Sequence, residues 1–282
     1  MNNGGMKKTS WMLNDSDLLF LVRVLMPGYE QRQRMVRILR EDEDILEGML
    51  ADEKLFRILT DDPESLLRVS PHLFFTVLLN HVKIELKDRS YTVENDFGSH
   101  ALVFDSAVVV EFLEDRRIRN YLADMLVSFV RINSYTIPIR VRKGIWRKYR
   151  FSDFDIETLI RYSEVLSEEQ RFPSYKRIAD ICLFTRGIFP DQIQVKRIPA
   201  SISEKGKSEL ENYGRYFYRT AAEYAELTGF EALTQMEQQR LQDIIQVLLS
   251  LSEHFAVAVK PLSFLASHYL EPFKAELFMQ KQ

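Results

Sequence analysis

The stretch that decides the fold is IRNYLADMLVSF, residues 118–129. Its apolar residues recur every three or four positions, which places them on one face of a helix. They are Ile118, Leu122, Met125, Leu126 and Phe129. The stretch therefore predicts an amphipathic α-helix whose apolar stripe packs into a protein core.

The same periodicity recurs along most of the chain. It is clearest near residue 40, after Ser70-Pro71, and in a run of six residues near the carboxyl end. Those six are Leu241, Ile244, Ile245, Leu248, Leu251 and Phe255. Ser70 followed by Pro71 is a typical helix start, because serine caps the first turn and proline fits its first position. The fold class is therefore predicted as mainly α, with either one multi-helix bundle-like domain or two helical lobes.

One or two small β-hairpins interrupt this helical pattern. Short β-prone pieces at 91–93 and 101–104 flank a turn-like segment, and residues 137–150 alternate with a period of two around Lys143-Gly144. Pro138 would confine its strand to a sheet edge. The predicted organisation is a mobile tail over 1–12, a helical lobe over 13–131, a basic hairpin or connector over 132–152, and a second helical lobe over 153–282.

The connector belongs to the most unusual charge pattern in the chain. From 125 to 152 there is no carboxylate among 28 residues, while seven basic side chains are present. The remaining 31 basic residues face 41 acidic ones, so a basic segment interrupts an acidic body. Such a segment repels itself and needs solvent or an anionic partner. The candidate binding residues are Arg140, Arg142, Lys143, Trp146, Arg147, Lys148 and Arg150, with Arg131 at the edge.

Several functions fit this segment. The first hypothesis is a non-enzymatic adaptor or regulatory protein with a protein partner, using the basic segment and the tyrosine-rich stretch 213–224 as contact surfaces. The alternative is nucleic-acid binding, with Arg and Lys on phosphates and Trp146 stacking on a base. A third is an enzyme whose site is assembled from distant residues. The structural interpretation is a solvated hairpin, or one docked on the protein's own acidic run at 41–44. The sequence leaves the oligomeric state open.

Catalytic and metal sites lack a local motif. His81 and Glu85 share a helix face, but two such residues are not a metal site, and no phosphate loop or nucleophile elbow is present. Cys182, the only cysteine, lies on an apolar helical face and predicts an inert buried thiol. No cofactor, metal or catalytic residue is therefore assigned. The absence of a signal peptide, of a long apolar run and of any disulfide predicts a cytoplasmic protein without membrane insertion.

One further stretch, KRIADICLFTRGIFP at residues 176–190, resembles a segment of uncharacterised bacterial helical proteins of unknown function. In that segment an amphipathic helix bearing an aspartate ends at a glycine–aromatic–proline stop. The resemblance implies a helix and no chemistry. Asp180 follows Lys176 and Arg177 by about one turn, which predicts an ion pair with one of them. If buried, it could instead engage Arg161 or Arg186.

Overall fold

The computed structural model confirms a mainly α protein. It describes residues 13–61, 68–96, 99–103, 105–130, 134–142, 145–152, 155–166, 168–189, 206–228 and 234–278. The helices described are α1 (Asp15–Leu25), α2 (Arg32–Glu41), α3 (Glu43–Leu50), α4 (Glu53–Asp61), α5 (Pro71–Asp88), α6 (Ser106–Glu114), α7 (Arg116–Val130), α8 (Ile156–Val165), α9 (Glu168–Ile188), α10 (Lys207–Thr228), α11 (Gln235–Glu253), α12 (Phe255–His268) and α13 (Lys274–Phe278).

Local capping explains where several of these helices begin. Asn14 caps α1, where Asp17 returns the bond to the Asn14 backbone as in a capping box. Asp42 accepts from the backbone of Asp44 and Ile45, which ends α2 and starts α3 within one continuous apolar periodicity. The Ser70 side chain caps α5 with Pro71 at its first position, so this predicted helix start is confirmed.

Helix α5 is the centre of the amino-terminal part of the fold. It is buried along most of its length and packs against α4, α6, α7 and α12. All five residues of the apolar stripe at 118–129 are buried on α7, which confirms the predicted helix and its orientation. The short carboxyl-terminal segment closes the same core, because Phe273 meets Phe74 and Phe278 stacks on Phe75.

Helices α9, α10 and α12 form the carboxyl-terminal core around two close contacts. A Cβ added at Gly187 of α9 would lie 2.4 Å from the Leu262 side chain, and one at Gly214 of α10 would lie 2.1 Å from the Phe255 ring. Helix α9 ends at Ile188, one residue beyond Gly187 and within the expected glycine–aromatic–proline stop. Helix α9 begins at Glu168 and contains Pro173.

Two antiparallel hairpins accompany the helices described. Strands β1 (Thr92–Asp96) and β2 (Ser99–Val103) form the first, and β3 (Ser134–Arg142) and β4 (Ile145–Ser152) form the second. Both predicted hairpins are confirmed. Strand β4 ends at Ser152, and Asp155 caps α8 by accepting from the backbone of Glu157.

Buried residues from both sides of the 132–152 connector belong to one apolar cluster. Phe74 and Phe273, which lie in different predicted lobes, are in ring contact. The predicted tail at 1–12 lies outside the described residues. The division of the chain at 132–152 stays a prediction.

Candidate functional site

The β3–β4 hairpin carries six of the seven predicted binding residues. Arg140 and Arg142 lie on β3, and Trp146, Arg147, Lys148 and Arg150 lie on β4. Lys143 and Arg131 lie outside the described residues, and of the hairpin only the backbone is described. That backbone brings basic residues separated in sequence onto two adjacent strands, as the period of two predicts.

The register of the hairpin fixes which residues are neighbours across the strands. Arg140 is opposite Trp146, Pro138 is opposite Lys148, and Thr136 is opposite Arg150. A register shift between Arg140 and Arg142 marks a bulge near the turn, a feature that bends a strand and increases its twist. Pro138 lacks a backbone donor, and a two-stranded sheet, in which every strand is an edge, tolerates it. The tryptophan thus shares a register position with one arginine, and three further basic positions follow on its own strand.

Two residues of the acidic run at 41–44, Glu43 and Asp44, are engaged by a cation of another helix. Arg116 at the start of α7 bonds to Asp44 at 2.5 Å and approaches Glu43 at 3.5 Å. It also pairs with Glu47, one turn further along α3. The bond to Asp44 is the main reason why the pKa of Arg116 is raised. This run was the predicted docking surface for the hairpin, and α7 already supplies it with positive charge.

Glu47 and Arg119 extend this ionic contact into the protein. Arg119 is 5% exposed and donates to Glu47 and to the carbonyl oxygens of Leu113 and Glu114. Lys83 of α5 lies 3.2 Å from Glu47. Burial lowers the pKa of the Arg119 guanidinium, while the neighbouring carboxylates act in the opposite direction. A buried arginine with several acceptors fixes the junction between α6 and α7 against α3.

A buried carboxylate joins three helices that are far apart in sequence. Asp180 of α9 is 1% exposed and accepts from Tyr121 of α7 at 2.6 Å and from Tyr218 of α10 at 3.0 Å. Lys176 donates to its other oxygen at 2.7 Å and lies 4.6 Å from the centre of the Tyr121 ring. The predicted pairing with Lys176 is confirmed. Arg177 does not take that place but donates to Ser128.

The two tyrosines act here as hydrogen-bond donors. Burial, followed by the charge of Asp180, raises the pKa of both Tyr121 and Tyr218 well above the usual range of tyrosine. Both hydroxyls therefore stay protonated and donate to the carboxylate, which accepts three hydrogen bonds in all, from Tyr121, Tyr218 and Lys176. The sequence predicted one of the three partners, because only Lys176 lies near Asp180 along the chain.

The expected contact surface on the tyrosine-rich stretch is largely internal. Tyr218 is fully buried, and Tyr213 and Tyr224 are half-buried with their rings near other aromatic rings of α9 and α10. Tyr216 is 63% exposed. Helix α10 therefore presents one of these tyrosines to solvent and uses the others for packing.

A second polar cluster lies where α4, α5 and the end of α12 meet. The His81 ring stacks on Phe56 with centroids 4.0 Å apart, and its Nδ1 lies 3.8 Å from Glu53. Among the described residues, no hydrogen-bond partner reaches the buried Nε2. Tyr269 donates to Glu85, one turn beyond His81.

Burial is the largest cause of the pKa shifts of His81 and Tyr269. It lowers the pKa of His81, against the opposing influence of Glu53, the Asp52 backbone and Glu85. It also raises the pKa of Tyr269, which the bond to Glu85 raises further. His81 is therefore a neutral packing residue near neutral pH.

In the part of the chain that the structure describes, no group of three or more His, Cys, Asp or Glu residues could hold a metal ion. Cys182 is buried, as predicted. None of the described helices alone is long and apolar enough to cross a bilayer; α11 and α12, bent by 90° at their junction, reach that length and composition only as a pair.

Comparison with known proteins gives no relative to guide the assignment: no family model, curated protein or solved structure matches the chain. The resemblance of residues 176–190 to segments of bacterial helical proteins stays a prediction.

Proposed function

We propose that this protein is a non-enzymatic cytoplasmic adaptor or regulatory protein, and that it binds an acidic segment of a partner protein through the β3–β4 hairpin. The proposal rests on one observation above all. A carboxylate-free, strongly basic stretch of sequence folds into a hairpin, so that its charges lie on two paired strands.

The state of the acidic run at 41–44 supports this proposal. Asp44 and Glu43 are engaged by Arg116, and Asp42 caps α3. If the hairpin docked here, its cations would compete with an arginine already in place. A partner that brings its own carboxylates meets no such competition. Charge pairs at the rim of such a contact mainly speed association and fix its register.

The test uses the full-length protein and two fluorescent probes of equal net charge, a poly-glutamate peptide and a single-stranded oligonucleotide. Binding is followed by anisotropy at low ionic strength and then at increasing salt. The double variant Arg142→Glu and Arg147→Glu should weaken peptide binding by about tenfold or more, since two attractive contacts become repulsive.

The matched control makes the same charge change elsewhere. Arg32→Glu with Arg37→Glu reverses two exposed arginines of α2. If this control loses as much affinity as the hairpin variant, the attraction belongs to the whole protein and the hairpin has no special part in it. If wild-type protein binds neither probe at low salt, the proposed function is wrong.

Nucleic-acid binding is the second candidate, and the position of Trp146 favours it. Trp146 is opposite Arg140 and is followed on β4 by Lys148 and Arg150. An aromatic residue among cations suits a single strand, since bases stack while phosphates are neutralised. On this alternative the oligonucleotide binds more tightly than the peptide, Trp146→Ala weakens it by about tenfold or more, and Trp146→Phe keeps most of the affinity.

A further inference from the structure

The register of the β3–β4 hairpin divides its residues between two faces of different composition. Residues directly opposite each other share a face, and the face alternates from one residue to the next along each strand. One face, the basic face, carries Arg140, Trp146, Lys148 and Arg150, with Pro138 and Thr136 opposite the last two. The other, the apolar face, carries Tyr135, Ile137, Ile139, Ile145, Tyr149 and Phe151. The hairpin is therefore amphipathic.

The bulge near the turn decides to which face Arg142 belongs. In a regular strand Arg140 and Arg142 would share a face, since they are two residues apart. The register shift instead sets Arg142 opposite Ile145. Ile145 precedes Trp146 on β4 and so lies on the apolar face, and Arg147, which follows Trp146, lies there too. The cations of the hairpin are thus split between its two faces.

The apolar face is the one that the protein itself should cover. A two-stranded hairpin is at best marginally stable in water unless it packs against another element. An antiparallel sheet commonly packs its apolar face on the core and leaves its polar face in contact with water. Strand β4 contacts α8, whose Ile156 and Leu159 belong to the buried core. The basic face is then the one available to a partner.

The cations of the basic face have the spacing of side chains on an extended chain. Successive positions on one face of a strand are two residues apart, which is about 6.8 Å. Arg140, Lys148 and Arg150 occupy three successive register positions of this face, one cation at each. An extended peptide repeats its own same-face side chains at the same distance. A segment with a carboxylate at every second residue therefore matches all three cations at once.

We infer that the hairpin binds an extended segment of its partner in which acidic residues alternate with neutral ones, and that the basic face makes this contact. This binding mode presupposes the proposed function and adds to it the face that is used and the charge pattern of the partner. Complementary charges in matching register fix how two surfaces align and disfavour segments whose charges fall elsewhere.

The first test compares two synthetic peptides of equal length, composition and charge on the full-length wild-type protein. One consists of Glu-Ser repeats, and the other of Glu-Glu-Ser-Ser repeats, in which no two glutamates are two residues apart. When extended, the second peptide leaves at least one of the three cations without a carboxylate. The Glu-Ser peptide should bind about threefold to fivefold more tightly by anisotropy at low salt, which is the size expected for one exposed charge pair.

The second test uses two double variants with the same change of charge. Arg140→Glu with Lys148→Glu reverses two cations of the basic face and should weaken binding of the Glu-Ser peptide by about tenfold or more. Arg142→Glu with Arg147→Glu reverses two cations of the apolar face and should weaken it less, by about threefold, because these charges act from a greater distance. Poly-glutamate, with a carboxylate at every residue, can also use cations of the apolar face. Urea unfolding of each variant shows whether its fold is intact.

The outcomes separate this binding mode from the proposed function. Equal affinity for the two peptides, or equal losses from the two double variants, overturns the binding mode while poly-glutamate binding upholds the proposed function. Absence of binding to every acidic peptide overturns both. A single-stranded oligonucleotide of equal charge that binds more tightly than the Glu-Ser peptide also overturns the binding mode, in favour of nucleic acid. The peptide comparison uses wild-type protein, so it decides the question even if a variant fails to fold.

Discussion

Two glycine-to-alanine substitutions should change the stability of this protein in opposite directions. Gly214 lies within α10, and an added Cβ would come within 2.1, 2.5 and 3.0 Å of three atoms of the Phe255 ring. Phe255 is fully buried, so its ring has little room to move away. Gly48 lies within α3, and an added Cβ there meets nothing within 4 Å.

The expected magnitudes follow from two terms. Alanine favours a helix over glycine by about 1 kcal/mol at most. Overpacking a buried contact costs about 1–3 kcal/mol. In Gly48→Ala only the helix preference of alanine applies, so the free energy of unfolding should rise by about 0.5–1 kcal/mol. For Gly214→Ala both effects apply, and the 2.1 Å approach to the Phe255 ring puts the overpacking cost near its upper end, so the free energy of unfolding should fall by about 2 kcal/mol.

Urea unfolding followed by circular dichroism measures both changes. A third variant identifies the cause: Phe255→Leu in the Gly214→Ala background makes room for the methyl group, so the double variant should lose less than the sum of the two single variants. If Gly214→Ala is as stable as wild type, or if the two losses simply add, α10 does not approach Phe255 as closely as described.

Three further predictions concern the polar clusters. Burial lowers the pKa of His81 in the folded state, so the unfolded state takes up a proton first as the pH falls, and the free energy of unfolding should decrease below a pH of about 6.5. Urea midpoints measured at several pH values should show this decrease, and His81→Phe should reduce it. Asp180→Ala leaves two buried hydroxyls without their acceptor and should cost about 2–4 kcal/mol, against about 1 kcal/mol for Tyr218→Phe, which removes one donor of three. Arg119→Ala should lower the free energy of unfolding by about 2–4 kcal/mol in chemical denaturation, because Glu47 and two carbonyl oxygens lose a buried donor. The exposed ion pair of Arg117 with Asp115 is worth about 1 kcal/mol or less. A loss for Arg117→Ala as large as that for Arg119→Ala would contradict this reasoning.

Local sequence predicts the parts of this fold that local physics controls. The stripe on α7 and the Ser70-Pro71 start of α5 are determined by spacing and capping, and the structure confirms both. Local rules fail where tertiary contacts decide. Gly187 lies at the end of α9, where a helix stop was expected, but its lack of a side chain also admits Leu262, and spacing along the chain does not predict that contact.

The partners of Asp180 also show that local spacing predicts contacts within one helix but not contacts between helices. Lys176 could be paired with Asp180 from its spacing on one helix. Tyr121 and Tyr218 could not, because they precede and follow Asp180 by 59 and 38 residues on separate helices. For the β3–β4 hairpin, the period of two predicts the strands, and composition predicts the charge. What binds there depends on a partner whose identity the chain itself does not encode.

The contact of the carboxyl-terminal residues with α5 has a consequence for synthesis on the ribosome. Phe74 and Phe75 reach their final partners only when Phe273 and Phe278 have emerged. About 200 residues separate them, which at about 5–20 residues per second is a wait of about 10–40 s. During that interval the nascent chain carries an unfinished apolar surface at its centre. Holding chaperones should therefore act on this protein early, and a chain that stops short of Phe273 should aggregate instead of folding.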